Sequence, residues 1–171
     1  MSASPLRTER TILMPLSTDD LDEVGALYGD DAAMEYVDGG VRTRGQTKSA
    51  LAASERCWRA EGWGLWAIRD AETGGLIGEC GLQHLFEVDG APIEFRFTIT
   101  KRHWDNGYAT EAGHVIILDA WERYSGDLIH AVCHPDDAAS AAILHKLGFR
   151  EVGPRMIHSV TQRLWEIQRI R

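Results

Sequence analysis

The chain has 171 residues, 44% of them apolar and 26% charged, with 26 acidic against 18 basic side chains and a net charge of −8. That apolar content excludes disorder as the main state, the length suits a single domain over residues 1–171, and the acidic balance argues against non-specific nucleic-acid binding. The longest strictly aliphatic run, Val115–Leu118, falls far short of the ~20 residues of a spanning helix, and residues 1–10 carry Arg7, Glu9 and Arg10 rather than an apolar secretory stretch, so neither membrane nor export is expected.

Residues 9–16, ERTILMPL, read as a first strand. Thr18, Asp19 and Asp20 then offer helix N-caps, and Leu21, Val24, Leu27 and Tyr28 follow at helical spacing. A second helix is predicted from Thr47 to Ala60, ended by Gly62 and Gly64. WGLWAIR (63–69) and LIGECGLQHL (76–85) read as a hairpin around the Thr73-Gly74-Gly75 turn, with Asp89-Gly90 marking the next turn. In IEFRFTIT (93–100), Ile93, Phe95, Phe97 and Ile99 alternate with Glu94, Arg96, Thr98 and Thr100, which predicts a half-buried strand.

A glycine-bearing loop then leads into a helix predicted from about Ala109 to Tyr124, whose stripe of Ala112, Val115, Ile116 and Ala120 is widened by Ile117, Leu118 and Trp121, so burial on most sides is expected. DLIHAVC (127–133) is another strand. Asp136 or Asp137 caps a further helix ended by Gly148, and two strand-like stretches, REVGPRMIHSV and RLWEIQRI, close the chain. The order β-α-α-β-β-β-α-β-α-β-β implies an α+β fold built on one mixed central sheet. The cysteines Cys57, Cys80 and Cys133 are odd in number and form no C-x-x-C pair. No disulfide framework and no metal site are expected, and a reducing, cytoplasmic setting fits.

The strand–loop–helix unit at 93–124 carries the chemistry. The first N–H groups of a helix lack intrahelical partners, and the dipole adds positive potential there, so the loop is an anion site. Gly107 permits close backbone approach and Ala109 leaves the approach uncrowded. No Gly-Lys-Ser/Thr and no G-x-G-x-x-G is present, so this is neither a Walker loop nor a dinucleotide fingerprint.

WDNGYATEA (104–112), followed by D-x-x-S (137–140) and KLGF (146–149), resembles the GNAT superfamily of acetyl-CoA-dependent N-acetyltransferases. TERTILMPL, LIGECGL and EFRF extend the resemblance along nearly the whole chain. It is most similar to the branch of ribosomal-protein N-terminal (alanine/serine) acetyltransferases. The resemblance implies a GNAT-like fold, a mixed central sheet of about seven strands flanked by about four helices. It implies acetyl-CoA as co-substrate, with no metal, and an amine acceptor that is a peptide N-terminus or a small molecule. The family's cofactor loop maps onto Trp104, Asp105, Asn106, Gly107, Tyr108, Ala109 and Thr110, and backbone groups from about Asp105 to Thr110 would cradle the pyrophosphate. Main chain near Phe97, Thr98 and Ile99 would pair with the pantetheine arm, and Asp137 and Ser140 would border the cofactor. The acceptor amine would attack the thioester directly, with Glu94 as base and Ser140 as proton donor to the leaving thiolate. A monomer or homodimer is expected.

Three residues depart from the family pattern: Asp105 replaces a glycine, Asp137 an asparagine, and Arg96 a small residue. Arg96 would then meet the acceptor, with a carboxylate or phosphate as its natural partner. Glu94 paired with Arg96, and Ser140 as a helix cap, are the structural alternatives. His145 and His158 are further proton-carrier candidates. Cys133 beside His134 is set aside as a nucleophile pair, because strand neighbours point to opposite faces. Trp58, Trp63 and Trp66 are expected in the core, and segments 30–62 and 84–92 are expected to shape the cleft mouth. An acyl-CoA-binding or sensing module without catalysis is the alternative function, and a nucleotide-binding protein using the same loop the third reading. An α-amine, with pKa ~7.8, is roughly one-seventh neutral at pH 7, whereas a lysine is only ~0.04% neutral, which favours an α-amine acceptor.

Overall fold

The computed structural model describes residues 3–85, 90, 92–157 and 159–170. Asp89 and His158 lie outside the described residues. Eight strands form one sheet in the order β1-β2-β3-β4-β5-β6-β8-β7. They are β1 (Leu6–Arg7), β2 (Thr11–Pro15), β3 (Leu65–Asp70), β4 (Leu76–His84), β5 (Ile93–Ile99), β6 (Leu128–Cys133), β7 (Arg150–Ile157) and β8 (Val160–Gln168). The strand beyond the expected seven is β1. Residues 9–16 are preceded by a tight turn in which the Thr8 N–H donates to the Thr11 carbonyl at 3.0 Å, folding Leu6 back onto Leu13.

Four helices flank the sheet: α1 (Leu21–Tyr28), α2 (Arg44–Glu61), α3 (Tyr108–Arg123) and α4 (Ala138–Lys146). Of the three candidate caps, Asp20 holds the N-cap position of α1 but makes no side-chain cap bond there; Ser17 caps the single 3-10 turn that precedes the helix, in a capping box with Asp20. α2 begins at Arg44 rather than Thr47, because Thr43 and Gln46 form a second capping box. Gly62 ends α2 in the left-handed conformation at φ 77°.

Two apolar layers hold the sheet. On one side Val24, Leu27 and Tyr28 of α1 and Leu51 of α2 pack with Leu65, Ala67 and Leu76. On the other, Ala112, Ile116 and Ala120 of α3 and Leu144 of α4 pack with Phe95, Ile129, Phe149 and Trp165. Each fully buried large side chain contributes about 1.5–3 kcal/mol. Trp63 and Trp66 are in this core. Trp58 packs edge-on to Trp66, and its Nε1–H donates to the Leu65 carbonyl at 2.8 Å. α3 is less enclosed than its sequence indicates: Leu118 is 68% exposed, on a face that no other element covers among the described residues. No helix is long and apolar enough to cross a membrane among the described residues.

Among the described residues every pairing in the sheet is antiparallel except β5–β6, which is parallel, with Glu94 opposite His130. A parallel connection requires a crossover, and α3 supplies it. Beyond Glu94 the two strands separate, and that separation positions the site.

Candidate active site

β5 is fully paired along its β4 edge, from Ile93 opposite His84 to Ile99 opposite Gly78. Its other edge loses β6 after Glu94. The gap is a cleft of about 690 Å3 lined by Phe95–Ile99 on one wall, Ala131–His134 on the other, and the start of α3 at its mouth. An unpaired strand edge facing such a cleft can accept an extended, amide-bearing ligand as an added strand.

The mouth is built by the loop before α3. The Trp104 indole N–H donates to the Ile99 carbonyl at 2.9 Å, and the Asn106 amide to the Trp104 carbonyl at 2.7 Å. These bonds fold the loop so that Gly107, at φ 78°, delivers the chain into α3 with no side-chain cap. The N–H groups of the first turn are therefore open to a ligand. A Cβ at Gly107 would meet only the Arg10 guanidinium at 3.7 Å, so the approach is not blocked by backbone. Trp104, Asp105, Gly107, Tyr108, Ala109 and Thr110 all line the cleft. Asn106 is not among the lining residues, and its side chain is used within the loop. Asp105 does not cap α3. It is exposed and holds φ 59°, a left-handed backbone that a glycine adopts without cost. Arg10 lies over the Tyr108 ring and pairs with Glu111, tying the start of α3 to the turn between β1 and β2.

The polar face of β5 is not solvent-exposed as its alternation predicts. Glu94 and Thr98 are each 5% exposed. They face a matching row on β4: Glu94 opposite Gln83, Arg96 opposite Gly81, Thr98 opposite Glu79. The groups bond one another across the two strands, which offsets most of the cost of burial, although Glu79 Oε2 stays buried without a hydrogen-bond partner among the described residues. Gln83 Nε2 donates to Glu94 Oε2 at 2.7 Å. Arg96 Nη2 and Thr98 Oγ1 both donate to Glu79 Oε1 at 2.9 Å. Gly81, opposite Arg96, lets the backbone leading into β3 approach closely: a Cβ there would stand 2.4 Å from the Gly64 carbonyl oxygen. Arg96 is thus ion-paired with Glu79, and the Glu94 carboxylate on its own strand adds to the favourable field. Burial opposes its charge, but the Glu79 carboxylate outweighs this and keeps it protonated. Glu94 and Arg96 both line the cleft, as do Phe97, Thr98 and Ile99.

Across the cleft, Asp137 caps α4 by accepting the Ser140 N–H at 2.9 Å. The cap is therefore Asp137, a task a carboxylate performs as well as the asparagine it replaces, and the Ser140 hydroxyl is not needed for it. Both residues line the cleft. His145 does not line it. Cys133 is buried, and burial pushes its thiol above the ordinary value.

The sequence reading missed three contributors. Tyr36 stacks on His134 with ring centroids 5.2 Å apart, closing one side of the cleft with the 30–42 segment. Only tertiary contact brings them together. Glu79 was legible in principle, since a lone carboxylate within LIGECGL in a buried strand must find a cation. Arg42 was not legible: it sits among polar residues between two helices, yet it lines the cleft.

Cys57, Glu61 and His84 bring their ligand atoms within 4.8 Å of one another at the end of α2. Here His84 Nε2 and Glu61 Oε1 are hydrogen-bonded at 2.6 Å, and burial and Glu61 push the Cys57 thiol up to about 12, which favours its neutral form.

Residues 10–150 match the family model described as an acetyltransferase (GNAT) domain. The uncharacterized N-acetyltransferase YoaA of Bacillus subtilis (strain 168) is 28% identical over 156 residues, covering 86% of this chain and 84% of that one. An acetyltransferase structure from Agrobacterium tumefaciens str. C58 superposes with a TM-score of 0.85 at 24% identity, over 99% of this chain and 96% of that one. A ribosomal L7/L12 alpha-N-protein acetyltransferase, RimL, solved in complex with coenzyme A, superposes with a TM-score of 0.78 at 10% identity, over 96% and 98% of the two chains.

Proposed function

Because the chain belongs to the GNAT acetyltransferase family, we propose that it transfers an acetyl group from acetyl-CoA to a primary amine in a ternary complex. The observation that carries this reading is the cleft where β5 leaves β6, with the uncapped start of α3 at its mouth. These features suit a ligand with a phosphate head and an amide-bearing arm. Open N–H groups from about Asp105 to Thr110 would hold the phosphates, and the bare edge at Phe97, Thr98 and Ile99 the arm. The co-substrate supplies a thioester whose acyl carbon is open to an amine. Glu94, held by Gln83 on the cleft wall, would take the amine proton directly or through one water. Ser140, on the opposite wall, would donate a proton to the departing sulfur. A protein N-terminus or a small amine would serve as acceptor, and the chain would act as one domain without a metal, as a monomer or homodimer in the cytoplasm.

A second reading, an acyl-CoA sensor without turnover, draws on Asp105, whose carboxylate stands at the phosphate mouth. Calorimetric titration with acetyl-CoA, followed by thiol release over an amine panel, separates the two. The transferase reading expects Kd of about micromolar order, near −8 kcal/mol, and turnover that Glu94→Gln lowers about 100-fold or more. Binding with no turnover of any amine would assign the sensor, and absence of binding would defeat both.

A further inference from the structure

We propose that Arg42 anchors the acceptor through a carboxylate, so that the acceptor is an amine that also carries a carboxylate group. The inference rests on the acetyl-transfer reading and names the acceptor class for that cleft. Arg42 ends the loop between α1 and α2, where its backbone N–H donates to the Tyr28 carbonyl at 2.8 Å. Its guanidinium lies over the buried Tyr28 ring, 4.6 Å from the centroid, and lines the cleft beside Gln83, Glu94 and Arg96. Arg96 lies 5.9 Å from the same centroid. The two cations differ in one respect. Arg96 is neutralised by Glu79 at 2.9 Å, whereas Arg42 makes no ion pair and no side-chain hydrogen bond among the described residues.

Glu79 is the one carboxylate whose field favours that charge, and its bonded oxygen is already taken by Arg96 and Thr98. Burial and the neighbouring Arg96 both press the Arg42 proton affinity down. Tyr28 offers no countercharge, since burial and Glu79 push its phenol well above the ordinary range and keep it neutral. A half-buried guanidinium without an anion is costly, and its planar fork of donors matches a carboxylate in bidentate geometry. Arg96, the residue the sequence points to for this task, is already occupied.

The rest of the cleft narrows the class. Glu35, Asp38 and Glu94 share the lining with Arg42, so carboxylates surround this cation, which itself holds no ion pair among the described residues. A polyanion is repelled there, while a molecule with one ammonium and one carboxylate is complementary. Such a pair occurs in a free α-amino acid or in a peptide whose N-terminus is followed by an acidic side chain.

The test begins with acetyl-CoA titration of the wild-type chain, which judges the acetyl-transfer reading by itself. The protein, with coenzyme A present, is then titrated with alanine against alaninamide and with glutamate against glutamate diamide. A second arm uses the amidated dipeptides serine-glutamate and serine-glutamine, and kcat/KM is measured for each probe that turns over. A preference of about 10- to 100-fold for the carboxylate member of at least one pair is expected. The amino-acid arm and the peptide arm identify the source. Arg42→Gln should abolish the preference through Kd or KM, Arg42→Lys should restore part of it, and both variants should bind acetyl-CoA as the wild type does. Equal binding of carboxylate and amide members, including absence of binding by both, overturns the inference. So does an Arg42→Gln variant that loses affinity for both members alike. Loss of acetyl-CoA binding in the wild type would instead defeat the underlying reading, while the carboxylate titrations still decide the anchor.

Discussion

At Asp105 the backbone takes φ 59°, a conformation that costs a non-glycine residue about 1 kcal/mol, less for aspartate than for most. The side chain also sets a negative charge at the mouth through which an anionic ligand would pass. Asp105→Gly removes both penalties. The expected outcome is acetyl-CoA binding tightened about 3- to 10-fold, with the gain shrinking at high salt as the charge contribution is screened. Calorimetry at two ionic strengths checks this, and unchanged affinity would show that the carboxylate points away from the ligand path.

Among the elements, α2 shows how local signals fix a boundary. Thr43 Oγ1 accepts the Gln46 N–H, and Gln46 Oε1 accepts the Thr43 N–H at 2.8 Å. Thr43→Ala should therefore cost about 1 kcal/mol, read as a lowered denaturant midpoint with an unchanged slope. The same pairing explains why the sequence reading started α2 too late: apolar spacing marks the buried face from Thr47 onward, while the cap that begins the helix is polar. Strands β3 to β6 were legible because alternation and turn residues bound them. The solvent assignment of β5's polar face failed because alternation reports only that two faces differ. It does not report that Glu79 and Gln83 of β4 wait opposite Thr98 and Glu94. The cofactor loop was legible since its residues are contiguous. Arg42 and Tyr36 reach the cleft only through the packing of α1 and the loop after it, which no local pattern encodes.

For the molecule as a whole, acid should destabilise in two stages. Burial holds the His103 and His130 imidazoles below 6.5, assisted by Arg102 and Arg155 respectively. Their depressed folded values mean that the unfolded chain binds protons first, so stability falls once pH drops below about 6.5. Glu111 and Glu23 follow. Burial opposes their charge, yet Thr8 and Arg10 in one case, and Arg69 and the Leu76 N–H in the other, hold both below 4.5. Their contribution is present above about 4.5 and is lost as pH falls through the lower folded values. Tm measured from pH 8 to pH 3 should accordingly be highest near neutrality, decline through pH 6 and fall more steeply below pH 4.5. A Tm that rises between pH 7 and pH 5 would contradict this assignment.

The β5–β6 bridge at Glu94 and His130 has a consequence for local opening. Among the described residues, β6, β8 and β7 form a patch joined to the remaining strands by that one backbone pair, by the α3 crossover and by side-chain packing. One apolar core spans the seam and keeps global unfolding a single event, but with so little backbone pairing across it, local opening is expected to start there. Anything that lies along the bare edge of β5 and touches the β6 wall staples the two sides together, so occupancy of the cleft should slow amide exchange on both flanks of the seam.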